Sequence, residues 1–155
     1  MRKGKRLAID VGAVRIGLAS CDPDGILSSP LTAIPRAASN TETVQAIAKL
    51  VSELAVIEVL VGDPISLSGN TTSSTRDARE LAAEIASAIS VPVRLVDERL
   101  TTVSAQAKLR QSGIDSREAK SLIDSASAVE ILEQALNTER STGKPPGILA
   151  AEIDG

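Results

Sequence analysis

The segment Val56-Ile57-Glu58-Val59-Leu60-Val61 is nearly continuous in apolar, mostly branched side chains, and Gly62 stops it. A strand apolar on both faces needs cover on both, as in the parallel part of a sheet layered between helices. Upstream, residues 6–11 and 15–20 read as strands joined by the Gly12-Ala13-Val14 turn, with 26–34 completing an antiparallel meander. Ser39 and Glu42 match a capping box, and Val44, Ile47, Ala48, Val51 and Leu54 recur at helical spacing, predicting a helix over 41–54.

Downstream, residues 62–75 are polar and read as a mobile loop, Ala78, Leu81, Ala82, Ile85 and Ile89 mark a second helix, and 91–97 a fifth strand. Thr102 can cap a short helix ending at Gly113, and Asp115 with Glu118 starts a final helix carrying Ala119, Leu122, Ala126, Val129, Leu132 and Leu136. Strands first, then helix and strand in alternation, give an α/β domain with a mixed sheet. The domain is expected over 1–139, with a flexible tail over 140–155 that contains a Gly-Lys-Pro-Pro-Gly stretch.

Composition narrows the chemistry. The chain of 155 residues is 43% hydrophobic, enough for one core, and has neither aromatic residues nor histidine. Leu, Ile, Val and Ala must therefore build that core, and their small volumes let helices lie close on a sheet. Without histidine there is no Ser-His-Asp or Cys-His arrangement and no imidazole base, which leaves acid–base work to carboxylates, lysine or metal-bound water. The single cysteine, Cys21, cannot pair within the chain and reads as a small packing residue near a strand end. No signal peptide or membrane span is evident, so a cytoplasmic protein is expected. A net charge of −3 and a pI near 5.1 argue against a generic polyanion-binding surface. Basic residues nevertheless cluster at Arg2, Lys3, Lys5 and Arg6, at Arg76 and Arg79, and at Lys108, Arg110, Arg117 and Lys120.

Three acids stand out by position. Asp10 closes the apolar run Leu7-Ala8-Ile9, Glu98 follows Val93-Arg94-Leu95-Val96, and Asp124 falls in the last helix with Ala128 and Ile131 four and seven residues on. A carboxylate in such surroundings is costly unless a cation or a hydrogen-bond donor compensates it. Alternation sets Asp97 and Glu98 on opposite faces of the fifth strand, so alternation alone leaves the choice between them open. Each acid taken singly also reads as a helix cap, a surface charge or a partner of Arg15 or Arg99. Together, three oxygen donors on rigid elements suit Mg²⁺ or Mn²⁺ and not zinc. Two such ions ~3.5–4 Å apart can activate water and stabilise a leaving oxygen in phosphodiester hydrolysis without a protein base.

In the order Asp10-Val11-Gly12-Ala13-Val14-Arg15-Ile16-Gly17-Leu18-Ala19, Asp97-Glu98-Arg99-Leu100-Thr101-Thr102 and Asp124-Ser125-Ala126-Ser127-Ala128-Val129-Glu130-Ile131-Leu132, the chain closely resembles the YqgF/RuvX family of bacterial RNase H-like proteins. The resemblance covers about residues 6–136. It implies an RNase H-like fold with a five-stranded mixed sheet flanked by helices, and a catalytic, metal-binding trio of Asp10, Glu98 and Asp124. It further implies substrate contacts from Gly12, Arg15, Arg99, Thr101 and Thr102, and a tight crossing at Gly17. The family is associated with 5′-end maturation of small-subunit ribosomal RNA and with resolution of Holliday junctions, so precursor rRNA or branched DNA is the expected partner. Turn geometry is an equally good reading of the glycines, and salt bridges are the other reading of Arg15 and Arg99.

The chain departs from the family pattern twice. Gly62-Asp63-Pro64 replaces Gly-Leu-Pro, leaving Asp63 either to support metal through water or to be solvated, and Val14 stands where many members have lysine. With no aromatic platform for bases, recognition should run through backbone, shape and salt-sensitive charge. Three other readings stay open: junction-resolving DNA cleavage, for which a homodimer would supply paired sites; a non-catalytic nucleic-acid-binding module; and, last, a phosphate loop like that of actin-like ATPases, whose two lobes this chain is too short to form.

Overall fold

The computed structural model describes residues 1–65, 68–97 and 123–152. Its elements run β1 (Arg6–Val11), β2 (Arg15–Cys21), β3 (Ser28–Pro35), α1 (Asn40–Leu54), β4 (Glu58–Asp63), α2 (Ser73–Ala88), β5 (Val93–Asp97), α3 (Ala126–Thr142), β6 (Ile148–Leu149) and a 3₁₀ turn over Ala150–Glu152. They build one sheet of order β3-β2-β1-β4-β5-β6. The meander β1-β2-β3 is antiparallel, β4 and β5 continue from β1 in parallel, and β6 closes the far edge antiparallel. The expected α/β architecture is thus present, and β4, the strand singled out by its continuous apolar run, is buried at every position. The exposed outer strand β3 contains Pro30 and Pro35, which cannot donate to a further strand and so blunt that edge.

The structure differs from the sequence expectations in three places. α2 starts at Ser73, inside the stretch read as loop, because Thr72 and Thr75 form a reciprocal capping box and the Thr75 hydroxyl also donates to the Pro64 carbonyl at 2.6 Å. The stretch expected as a tail carries the end of α3, a C-cap at Gly143, and β6 pairing with β5, and Ala150 is buried in the core. The sheet accordingly has six strands where five were expected. The helix expected at 102–113 and the first part, 115–122, of the expected final helix lie outside the described residues.

Alternation along the central strands sorts side chains onto two faces. Leu7, Ile9, Val59, Val61 and Leu95 pack with Ile47 of α1 and Leu81 and Ile85 of α2. Ala8, Leu60 and Val96 pack on the other face with Ala128, Ile131 and Leu132 of α3. Cys21 ends β2 and is buried in that second cluster, as its reading as a packing residue anticipates. Burying each of these aliphatic side chains contributes roughly 1.5–3 kcal/mol, the alanines less. One junction carries strain: Ala55 caps α1 in the left-handed region at φ 52°, where glycine is favoured.

The α3 face is layered along the strands. At the start of β1, Arg6 belongs to a buried ion network: its guanidinium donates to Glu139 of α3 at 2.7 Å, Arg2 bridges Glu139 and Glu58, and Arg94 donates to Glu58 at 2.9 Å. An apolar layer of Ala8, Leu60 and Val96 follows, and Asp10 comes next along β1. Asp10 lies four residue steps along β1 from Arg6, or ~13 Å. The N-terminal basic cluster is therefore not a substrate surface at Asp10. Its two arginines are consumed at the opposite end of the sheet, because Glu58 and Glu139 are buried there and need cations.

Candidate active site

Asp10 is the last-but-one residue of β1 and shares the α3 face with Ala8, which turns its carboxylate toward the start of α3. Asp124 lies just ahead of that helix, before its N-cap residue Ser125. The sequence reading places Asp124 inside one continuous helix, but the structure interrupts that helix at Ser125, a turn residue between helical residues 123–124 and α3. The cause lies in the sheet. Pairing of β2 with β3 shifts register between Ile16 and Leu18, and the Ser125 hydroxyl fills the irregularity by accepting from the Leu18 N–H at 3.0 Å and donating to the Leu31 carbonyl at 2.6 Å. Ser125 is fully buried, and its hydroxyl, spent on the sheet, makes no helix-capping bond.

Gly17 completes the junction. It lies opposite Asp10 in the β1–β2 register, and a Cβ there would sit 2.1 Å from the Asp124 carbonyl oxygen. Only a residue without a side chain lets the Asp124 backbone rest on β2, so the tight crossing expected at Gly17 is what the structure shows. A Cβ on Gly12 would meet the Arg15 carbonyl at 2.5 Å, and the Gly12 N–H donates to that same oxygen at 3.0 Å. These contacts fit the turn-geometry reading of Gly12.

Asp10, Gly12, Ala13, Val14, Arg15, Ile123, Asp124 and Ser127 line one open pocket of about 380 Å³. The two carboxylates feel each other. Burial, and then the neighbouring charge of Asp124, push the Asp10 carboxyl up from 3.8 to about 6. Arg15 Nη1 stands 3.5 Å from Asp124 Oδ2. That is near enough for Coulomb attraction, yet the geometry does not make a hydrogen bond, and Oδ2 is buried with no hydrogen-bond partner. Arg15 is itself 44% exposed, so its guanidinium also faces solvent at the pocket mouth. Val14, in place of the family lysine, is 69% exposed at the tip of the hairpin.

Glu98, Arg99, Thr101 and Thr102 lie outside the described residues. Among the described residues no group of three acids, histidines or cysteines is arranged to hold a metal. Asp63 fits neither expectation made for it. It is 6% exposed and clamped by Arg79 of α2 through two bonds of 2.9 Å, so it is neither solvated nor turned toward Asp10 and Asp124. The same clamp removes Arg79 from the basic residues available to a substrate, while Arg76 is exposed.

Sequence reasoning missed two residues that shape the pocket. Ser125 looks like any small helical residue, since the bulge it fills is a property of strand pairing. Arg36, just after β3, donates to the Gly12 carbonyl at 3.1 Å and to both oxygens of Asp77 on α2 at 2.6 and 2.7 Å. Its position directly after Pro35 was the one available signal.

Comparison with known proteins places the chain in a family. The sequence profile described as "RuvX: Holliday junction resolvase" matches residues 4–138. The chain belongs to the RuvX family. It is 50% identical over 149 residues to a Clavibacter michiganensis protein named "Putative pre-16S rRNA nuclease", covering 96% of this chain and 92% of that one. A Streptomyces coelicolor protein of the same name is 50% identical over 148 residues, with 95% and 88% covered. Among solved structures, "T. thermophilus RuvC in complex with Holliday junction substrate" superposes with a TM-score of 0.60 over 92% of this chain and 99% of that one. At 19% identity this last likeness speaks for the fold alone. No helix among the described residues is long and apolar enough to cross a membrane.

Proposed function

We propose that this chain is a metal-dependent endonuclease that hydrolyses phosphodiester bonds in 5′-end processing of precursor 16S ribosomal RNA, in the cytoplasm. The observation that carries the reading is the convergence of Asp10 and Asp124 on one open pocket, with a buried Asp124 oxygen lacking a hydrogen bond, in a chain half-identical to proteins bearing the nuclease name. Glu98 is assigned as the third carboxylate. Val96, two residues before it in sequence, packs on the same face as Ala8 and α3, and the family motif supplies the rest of the support.

The donors present fit a hard divalent cation. All are oxygens, Asp124 Oδ2 has an unused lone pair in a buried position, and the burial and the Asp124 charge that raise Asp10 are both offset by a positive charge between the two acids. Asp10, Glu98 and Asp124 would hold Mg²⁺ or Mn²⁺, which when bound supply an activated water and charge stabilisation for the leaving oxygen. The chain's own groups do the rest. Gly17 and Ser125 hold Asp124 against β2, and the hairpin closed by Gly12 presents Arg15 at the pocket mouth, where its guanidinium can pair with a substrate phosphate. Arg99, Thr101 and Thr102 are assigned to the same substrate backbone on the family motif.

A second reading, junction-resolving DNA cleavage, is favoured by the name of the matching family and would use the same acids, with a homodimer supplying the paired sites. Incubation of the purified chain and Mn²⁺ with labelled precursor 16S rRNA and with a four-way DNA junction decides between them. Cleavage of the RNA alone, lost in Asp10→Asn, is the expected result. Cleavage of the junction alone would select the second reading, and metal-dependent cleavage of neither would leave a non-catalytic binding module.

A further inference from the structure

Beyond the acids and their immediate supports, one side chain ties the turn between Asp10 and Arg15 to α1 and α2. Arg36 follows β3 and touches both sides of the 12–14 turn: its backbone N–H donates to the Val14 carbonyl at 2.8 Å, and its Nη1 donates to the Gly12 carbonyl at 3.1 Å. The other end of the guanidinium is fixed. Asp77 on α2 accepts from Nη1 and Nη2 at 2.6 and 2.7 Å, and Asn40, the first residue of α1, accepts from Nη2 at 3.1 Å. The side chain is only 13% exposed, and the pairing with Asp77 comes first among the causes that raise the Arg36 pKa.

Three separately placed elements therefore converge on one planar fork, and only a guanidinium has the donors to serve them together. The Gly12 carbonyl belongs to the residue whose N–H closes the hairpin onto Arg15, and Arg15 in turn approaches Asp124. A turn of this kind, with Ala13 and Val14 exposed at its tip, has little apolar packing of its own to define its tilt. Its geometry is set from outside.

We propose that Arg36, held by Asp77 and Asn40, is a positioning residue for the reaction: it locks the β1–β2 turn and thereby fixes the Arg15 guanidinium relative to Asp10 and Asp124. The proposal rests on the nuclease reading above and adds to it a residue that touches neither substrate nor cation. Its effect belongs in turnover and not in substrate affinity, since misplacement of reacting groups by about 1 Å can cost ~100-fold in rate.

The test uses the full chain as wild type, Arg36→Ala, Arg36→Lys and Asp77→Asn, with saturating Mn²⁺ and a precursor 16S rRNA fragment. Arg36→Ala is expected to lower kcat by ~10–100-fold with KM changed less than ~3-fold, and Asp77→Asn to act in the same parameter to a smaller degree. Arg36→Lys keeps the charge but not the fork, and should recover only part of the loss. Amide hydrogen exchange gives a second readout, independent of turnover: residues 12–15 should exchange ~10-fold faster in Arg36→Ala while the β4 amides of Val59 and Val61 stay protected. An unchanged kcat in Arg36→Ala, a loss confined to KM, full recovery by lysine, or a uniform rise in exchange across the sheet would each overturn the proposal. If the wild type cleaves neither RNA nor junction, the nuclease reading is what fails, and exchange at 12–15 still decides whether Arg36 locks the turn.

Discussion

Asp10→Asn should make the metal-free protein more stable while removing the activity proposed for it. The carboxyl is held at about 6 against 3.8 unperturbed, chiefly by burial and then by Asp124. A shift of about two units corresponds to about 3 kcal/mol favouring the neutral form in the folded chain. The sign follows from proton uptake. Below pH ~3.8 the group is protonated in both folded and unfolded chains, and the two variants should be equally stable. Between pH ~3.8 and ~6 the unfolded chain ionises first and binds fewer protons, so folding stability of the wild type falls as pH rises. Above pH ~6 the full penalty is present. Urea denaturation in EDTA should therefore show Asp10→Asn about equal to wild type near pH 3.5 and up to about 3 kcal/mol more stable at pH 7.5, worth about 6–12 °C in Tm for a chain of this size. Millimolar Mn²⁺ should close the gap by stabilising the wild type alone. A variant no more stable than wild type at pH 7.5 without metal would refute the picture of an uncompensated acidic pocket.

Other expectations test the supports of that pocket. Gly17→Ala forces a Cβ to within 2.1 Å of the Asp124 carbonyl oxygen and should cost about 1–3 kcal/mol in thermal unfolding, with loss of Mn²⁺ binding by calorimetry. Ser125→Ala leaves the buried Leu18 N–H without its partner, which should lower stability by about 1–3 kcal/mol in urea titration. Arg79→Ala strands the buried Asp63 carboxylate and should cost about 3–5 kcal/mol, whereas the double change Asp63→Leu with Arg79→Leu should be nearly neutral. Ala55→Gly relieves the left-handed C-cap of α1 and should add about 0.5–1 kcal/mol without altering cleavage kinetics.

β4 announced itself because a strand buried on both faces must be apolar at both parities. α1 did so because its cap and its periodic stripe agree, and Ser39 does accept from the Glu42 N–H. The start of α2 was hidden, since a threonine capping box looks like the polar loop around it until Thr75 is seen bonding back to Thr72 and Pro64. Charge was the least legible quantity. Arg2 and Arg6 read as a basic patch, and Asp63 as solvated or close to metal, because nothing in local sequence says which buried partner an ion will find. The break at Ser125 escaped notice for a related reason: its hydroxyl answers an irregularity between β2 and β3, over ninety residues away in the chain.

By itself, the order of residues determined the layered α/β plan and singled out Asp10 and Asp124 as candidates, because hydrophobic periodicity and short motifs are local properties. Tertiary structure alone decided that Arg6 and Glu139 neutralise each other far from the pocket, that Gly17 must lack a side chain, and that Arg36 braces the hairpin. These are meetings between distant segments, and their energies exist only once the sheet has brought those segments within contact distance.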